Sequence, residues 1–149
     1  MHEILGSRIS AAGPRGMRIR VGCSGWFCSH WRGIFYPRGE PTTRNWFGYY
    51  ANVFDTVELN APFYRWPKPT TVRRWKRDAS PGFVYSVKVN QAITHEQRMV
   101  RTQSLVKDYD QIAAVLGDRM GCFLFQFPSS FHYTAARLRA ITTTGTASR

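Results

Sequence analysis

Apolar positions along this chain switch repeatedly between two periods. Trp46, Tyr49, Tyr50, Val53 and Phe54 recur at i, i+3, i+4, i+7 and i+8, the stripe of a helix laid against a sheet. Val72, Trp75, Lys76 and Ala79 repeat that spacing behind Pro69, with the Lys76 stem lying along the apolar face and its charge in water. Leu105, Tyr109, Ile112, Ala113 and Leu116 do so again, and Gly117 stands where the helix should stop. Between these stretches lie short β-branched and aromatic runs, Ile19 to Ser24, Thr56 to Asn60, Phe83 to Val89 and Cys122 to Phe127, bounded by Gly, Pro or polar residues. They read as strands. The order β-α-β-α-β-α-β predicts a parallel sheet with right-handed crossovers; a flavodoxin-like sheet shows the same alternation.

Two of these runs end abruptly in small or polar residues followed by an aromatic: Arg20-Val21-Gly22-Cys23-Ser24-Gly25-Trp26 and Phe54-Asp55-Thr56-Val57-Glu58-Leu59-Asn60-Ala61-Pro62-Phe63-Tyr64. With them, residues 18 to 140 resemble the YecE-like family of uncharacterised proteins, also called domain of unknown function 72. The resemblance implies a (β/α)8 barrel. Such a barrel takes about 250 residues and at least about 200. A chain of 149 residues is therefore expected to hold a partial TIM-type barrel, about four β/α units with parallel strands. Residues 1 to 17 are aperiodic and read as a flexible leader. The stretch Ser129 to Ala140 begins a fourth helix, and Ile141 to Arg149 loses apolar periodicity, as a frameshifted or truncated tail would.

Charge changes the picture less than its size suggests. The net charge is +12, built from seven basic against two acidic residues over positions 1–45, eight against four over 46–100, and six against three over 101–149. An excess so evenly spread describes a basic, solvated surface before it describes a groove for phosphates. Cys23, Cys28 and Cys122 are odd in number, which argues against a disulfide framework and for a reducing cytoplasm. The first residues lack a signal peptide's apolar run, and no stretch approaches the ~20 apolar residues of a membrane span, so no membrane partner is expected.

Working groups of parallel α/β folds collect where strands end and the following loops begin. That rule nominates Ser24 and Trp26 after the first strand, Glu58 and Asn60 on the second, and Lys88 on the third with Thr94 and His95 beyond it. Gln126 represents the fourth. Glu58 and Asn60 share strand parity and point to one side. A carboxylate between Val57 and Leu59 is costly unless paired or used. The plainest pairing is a salt bridge to Lys88 on the adjacent strand; the functional reading makes Glu58 a base or metal ligand and Lys88 a stabiliser of negative charge. His95 serves equally as an acid or base near neutral pH or as a hydrogen-bonded loop residue. The resemblance adds that the family also places a Thr-His pair after a strand ending in lysine. Trp26 and Tyr64 are the rings expected to be exposed to a ligand. Trp31, Tyr36 and Phe63 are expected in loop packing over the barrel end.

The spacing of Cys23, Cys28 and His30 matches no common closed zinc site and lacks a fourth ligand. No Walker loop, G-x-G-x-x-G, nucleophile elbow or H-E-x-x-H is present, and the residues name no cofactor. Three functional expectations follow. In the first, Glu58, Lys88 and His95 are catalytic residues, and a small anionic or phosphate-bearing ligand sits on Ser24, Trp26, Asn60, Tyr64, Thr94 and Gln126. Fold analogy then suggests hydrolases or isomerases among longer relatives. In the second, less favoured, basic charge and exposed aromatics bind nucleic acid. In the third, an incomplete barrel is inactive alone and self-associates through its open sheet edges.

Overall fold

The computed structural model describes residues 10–12, 18–39 and 45–146. Its sheet is built from β3 (Thr56–Leu59), β4 (Val84–Lys88) and β5 (Met120–Leu124), paired in parallel in the order β3-β4-β5. Ahead of β3, Ser24 forms a parallel bridge to Glu58, and the Glu58 amide donates to the Cys23 carbonyl at 3.0 Å. Chain order therefore equals spatial order from Cys23–Ser24 through β5, with no reversal. The helices α1 (Trp46–Val53), α3 (Pro69–Asp78) and α4 (Gln103–Leu116) fill the crossovers. All three pack into one core with the inward residues of the sheet.

Strand parity explains why. Val57, Leu59, Tyr85, Val87 and Val89 are at most 2% exposed and meet Phe47, Tyr50 and Ala51 of α1, Val72 and Trp75 of α3, and Tyr109, Ile112 and Leu116 of α4. The alternate residues, Thr56, Glu58, Val84, Ser86 and Lys88, are only half-buried, and Cys122 and Leu124 are exposed. A sheet wound in one direction puts every right-handed crossover on the same side, so among the described residues its second face is left uncovered.

The predicted helices form about where periodicity places them. The buried face of α1 is shifted by one residue, to Trp46, Phe47, Tyr50 and Ala51. Gly117 ends α4 with φ +56°, and a 3-10 turn, Gly117–Arg119, leads into β5. The strand expected over Ile19 to Ser24 is divided. Arg18–Arg20 (β2) pairs antiparallel with Ser10–Ala12 (β1) in a hairpin, and only the end of the run reaches β3. Gly22 is the reason the two chains come so close: a Cβ there would lie 2.1 Å from the Thr56 carbonyl oxygen. Gly25 supplies a left-handed turn, φ +90°, with open space around it.

Three further elements appear without a sequence signal. A single helical turn, α2 (Ala61–Tyr64), with Pro62 as its second residue, follows β3, and a π-helical turn covers Ala92–Glu96 after β4. β1 falls in the stretch read as a leader. At the other end, α5 runs Ala135–Thr146, continuing through Ile141.

Candidate functional site at the strand ends

The uncovered face of the sheet carries a polar row. Ser24, Glu58, Ser86 and Cys122 are neighbours in register across four adjacent segments. The Ser24 hydroxyl donates to Glu58 Oε1 at 3.0 Å and accepts a very short bond from Asn60 Nδ2. Ser86 Oγ and Cys122 Sγ lie 3.3 Å apart. The Glu58 carboxylate is thus oriented by a serine that an amide fixes in turn. No Glu58–Lys88 salt bridge occurs among the described residues, because the register sets Glu58 opposite Ser86 and Lys88 opposite Leu124.

Lys88 instead lies over an aromatic ring. Its Nζ is 4.5 Å from the centroid of Phe63 on α2, a cation–π contact worth about 0.5–1 kcal/mol when exposed and more when water is excluded. The His95 ring meets the same Phe63 edge-on at 5.1 Å, and His95 Nδ1 shares a 2.8 Å hydrogen bond with the buried Thr94 hydroxyl. One ring therefore carries an ammonium from the end of β4 and an imidazole from the turn that follows it.

Asn90 holds that arrangement together. This side chain, 5% exposed, donates through Nδ2 to the Pro62 carbonyl at 2.8 Å and accepts the Ala92 amide at 2.9 Å. It ties α2, which carries Phe63, to the turn that carries Thr94 and His95. Beyond the turn, Arg98, Met99 and Arg101 adopt left-handed backbone, φ +48°, +65° and +55°, at a cost on the order of 1 kcal/mol or more each. Burial of Met99 and its amide bond to the Ile93 carbonyl help hold this strained loop. Arg98 crosses to Ser130 in the loop after β5 at 3.0 Å.

The other expected ligand residues separate. Tyr64 is 71% exposed, stacked edge-on against Phe63 at 4.9 Å, and stands beside the Lys88–His95 pair. Trp26, expected as an exposed ring, is half-buried and packs 4.8 Å from Phe47 on the helix side of the sheet. Trp31 is likewise half-buried, against Phe35 and Tyr36. Gln126 is exposed, two residues past the end of β5. Sequence reasoning passed over Ser86, Cys122 and Asn90. Alternation from Lys88 was the signal for Ser86 and alternation from Gln126 the signal for Cys122, whereas the role of Asn90 arises only from the folded loops.

The opposite ends of the strands carry a different chemistry. Asp55, fully buried just before β3, pairs with Arg20 at 3.3 Å and Arg18 at 3.6 Å. Arg20 also donates to the Gly82 carbonyl at 2.8 Å. This clamp joins β2 to the chain entering β3 and β4. No group of three or more His, Cys, Asp or Glu side chains gathers as a metal set among the described residues, and no helix there is long and apolar enough to cross a membrane.

A one-way parallel α/β sheet with a polar, cation-bearing rim at its strand ends defines the class. A family model described as "Protein of unknown function DUF72" matches residues 20–147, and the chain belongs to that family. The UPF0759 protein YecE of Escherichia coli K12 is 30% identical over 82 residues, which cover 55% of this chain and 30% of that protein. The YecE of strain O157:H7 matches to the same extent. A crystal structure of a DUF72 family protein from Enterococcus faecalis V583 superposes with a TM-score of 0.56 at 20% identity, over 64% of this chain and 37% of that one. A second crystal structure of that protein gives 0.55 and 41%. At that identity the likeness is one of fold, and the matched region is less than half of each relative.

Proposed function

We propose that this chain contributes four β/α units of a (β/α)8-type barrel whose C-terminal rim binds a small anionic, phosphate-bearing ligand. Winding in a single direction supports the barrel part: doubly wound sheets reverse strand order and place helices on both faces, while this sheet does neither. In that arrangement the row Ser24, Glu58, Ser86 and Cys122 faces the barrel interior. The edges at Cys23–Ser24 and β5 are where further strands, from a longer relative or a second copy, add.

The observation that carries the ligand reading is the Lys88 ammonium beside His95 over one ring, with no carboxylate paired to Lys88 among the described residues. An ammonium at a strand end, next to an imidazole that donates when protonated, favours an anion over a neutral ligand. Glu58, held by Ser24 and Asn60, is the group suited to take a proton from that ligand. Titration with inorganic phosphate and a small phosphomonoester, followed by the His95 imidazole NMR signals, tests the reading. Binding is expected to shift those signals and to weaken at least tenfold in Lys88→Met, while Lys107→Met, on the outer face of α4, leaves it unchanged. Signals that stay still at millimolar phosphate, or a Lys88→Met variant that binds as the parent does, would overturn it.

A further inference from the structure

Helix α3 presents a basic surface away from the strand ends. Arg73, Arg74, Lys76 and Arg77 line a shallow groove between α3 and α4, with Thr70 and Val115 as its remaining walls. One carboxylate, Asp78, offsets them, bonded by Arg74 at 3.2 Å and Arg77 at 2.9 Å. The helix dipole accounts for cations in the last turn, Lys76 and Arg77, and Lys76 also reaches toward Gly117 at the end of α4. It does not account for Arg73, in the middle of the helix, exposed and with no carboxylate partner among the described residues. Arg73 and Arg77 stand one turn apart on the same face, about 5–6 Å between their Cβ atoms.

We propose that this groove is a docking surface for the phosphodiester backbone of double-stranded nucleic acid, read without regard to sequence. Arginine suits it, since a guanidinium donates two parallel hydrogen bonds to a phosphate. Two observations select the duplex among polyanions. Single-strand binders present exposed rings on which bases stack, but the aromatic residue of α3, Trp75, is buried in the core. Membrane-surface helices set exposed apolar side chains beside their cations, and none of the exposed large hydrophobic residues lies on α3 or α4. With half-buried Val115 as the one apolar wall and no ring in the lining, what the groove offers a partner is its cations, and those engage phosphates.

The test is fluorescence anisotropy of the whole chain with a labelled 20-base-pair DNA duplex, from 50 to 300 mM salt. The parent is compared with Arg73→Gln/Arg77→Gln, which keeps the Arg74–Asp78 pair, and with Arg38→Gln/Lys107→Gln, which removes the same charge outside the groove. Every phosphate that a variant no longer neutralises lowers the slope of log K against log salt by about 0.9, so the groove variant should drop by about 1.8. It should also bind at least tenfold more weakly at 50 mM salt, with the second variant close to the parent. Three results would overturn the proposal: no binding at 50 mM salt, an equal loss in both variants, or capture by phosphatidylserine vesicles with the same dependence on Arg73 and Arg77. Circular dichroism of each variant separates loss of binding from loss of fold.

Discussion

Alkali should unfold this protein through four tyrosines. Burial raises the pKa of Tyr36, Tyr50, Tyr85 and Tyr109 well above the usual phenol value, with desolvation the largest cause in each. Their hydroxyls are committed to backbone. Tyr50 donates to the Thr56 carbonyl at 2.9 Å and accepts the Cys23 amide at 2.7 Å. Tyr85 donates to the Trp75 carbonyl at 2.8 Å, Tyr36 donates to the Trp26 carbonyl at 2.5 Å, and Tyr109 accepts the Asn90 amide. A phenolate at Tyr36, Tyr50 or Tyr85 loses the proton that satisfies a carbonyl. The sign follows from linkage. A group whose folded pKa is raised contributes stability that is fully present below the unfolded pKa, about 10 for tyrosine, and is lost as pH climbs toward the folded value. Each such group removes about 1.4 kcal/mol per pH unit in that window, so four remove about 5.6 kcal/mol per unit. A domain stable by about 5–15 kcal/mol exhausts that margin within about one to three units above pH 10. Tyrosinate absorbance at 295 nm and far-ultraviolet circular dichroism, recorded on one sample, are expected to show a steep ionisation step coinciding with loss of secondary structure. If absorbance climbs to the value for all seven tyrosines while the dichroism stays native, the burial argument fails.

Two further outcomes concern the sheet. Gly22→Ala forces its Cβ against the Thr56 carbonyl oxygen, 2.1 Å away, so the Cys23–Ser24 segment must leave β3. Amide hydrogen exchange at Glu58, whose N–H bonds the Cys23 carbonyl, is expected to accelerate at least tenfold, and an unchanged rate would contradict the close approach. Asp55→Ala removes the buried carboxylate that two partly exposed arginines share, at a cost of about 1–3 kcal/mol. Urea denaturation is the measurement, and a loss below about 1 kcal/mol would mean that the arginine is satisfied by the Gly82 carbonyl alone.

The alternation of strands and helices was legible because each helix repeats its apolar stripe through at least two turns, and because Val57, Leu59 and Val87 alternate with polar neighbours. The hairpin was not legible, since Ser10-Ala11-Ala12 carries neither alternation nor β-branched residues and is placed by pairing with Arg18–Arg20. Parity correctly put Glu58 and Asn60 on one side. What it did not fix was register, the quantity that decides whether Glu58 meets Lys88 or Ser86. Register depends on where each crossover helix returns the chain, and on the irregularity between Tyr85 and Ser86 that resets β5. Trp26 was misjudged for a related reason: an aromatic in a glycine-bounded loop reads as exposed, yet the turn at Gly25 swings it back onto Phe47.

The Asp55–Arg20–Gly82 clamp sits at the foot of the strands, and the Lys88–Phe63–His95 group at their tops. The buried ion pair and the rim cations are thereby assigned to separate addresses in the same molecule. An engineer strengthening the foot is free to do so without disturbing the contacts above, and variation at the rim can accumulate while the frame underneath holds its shape.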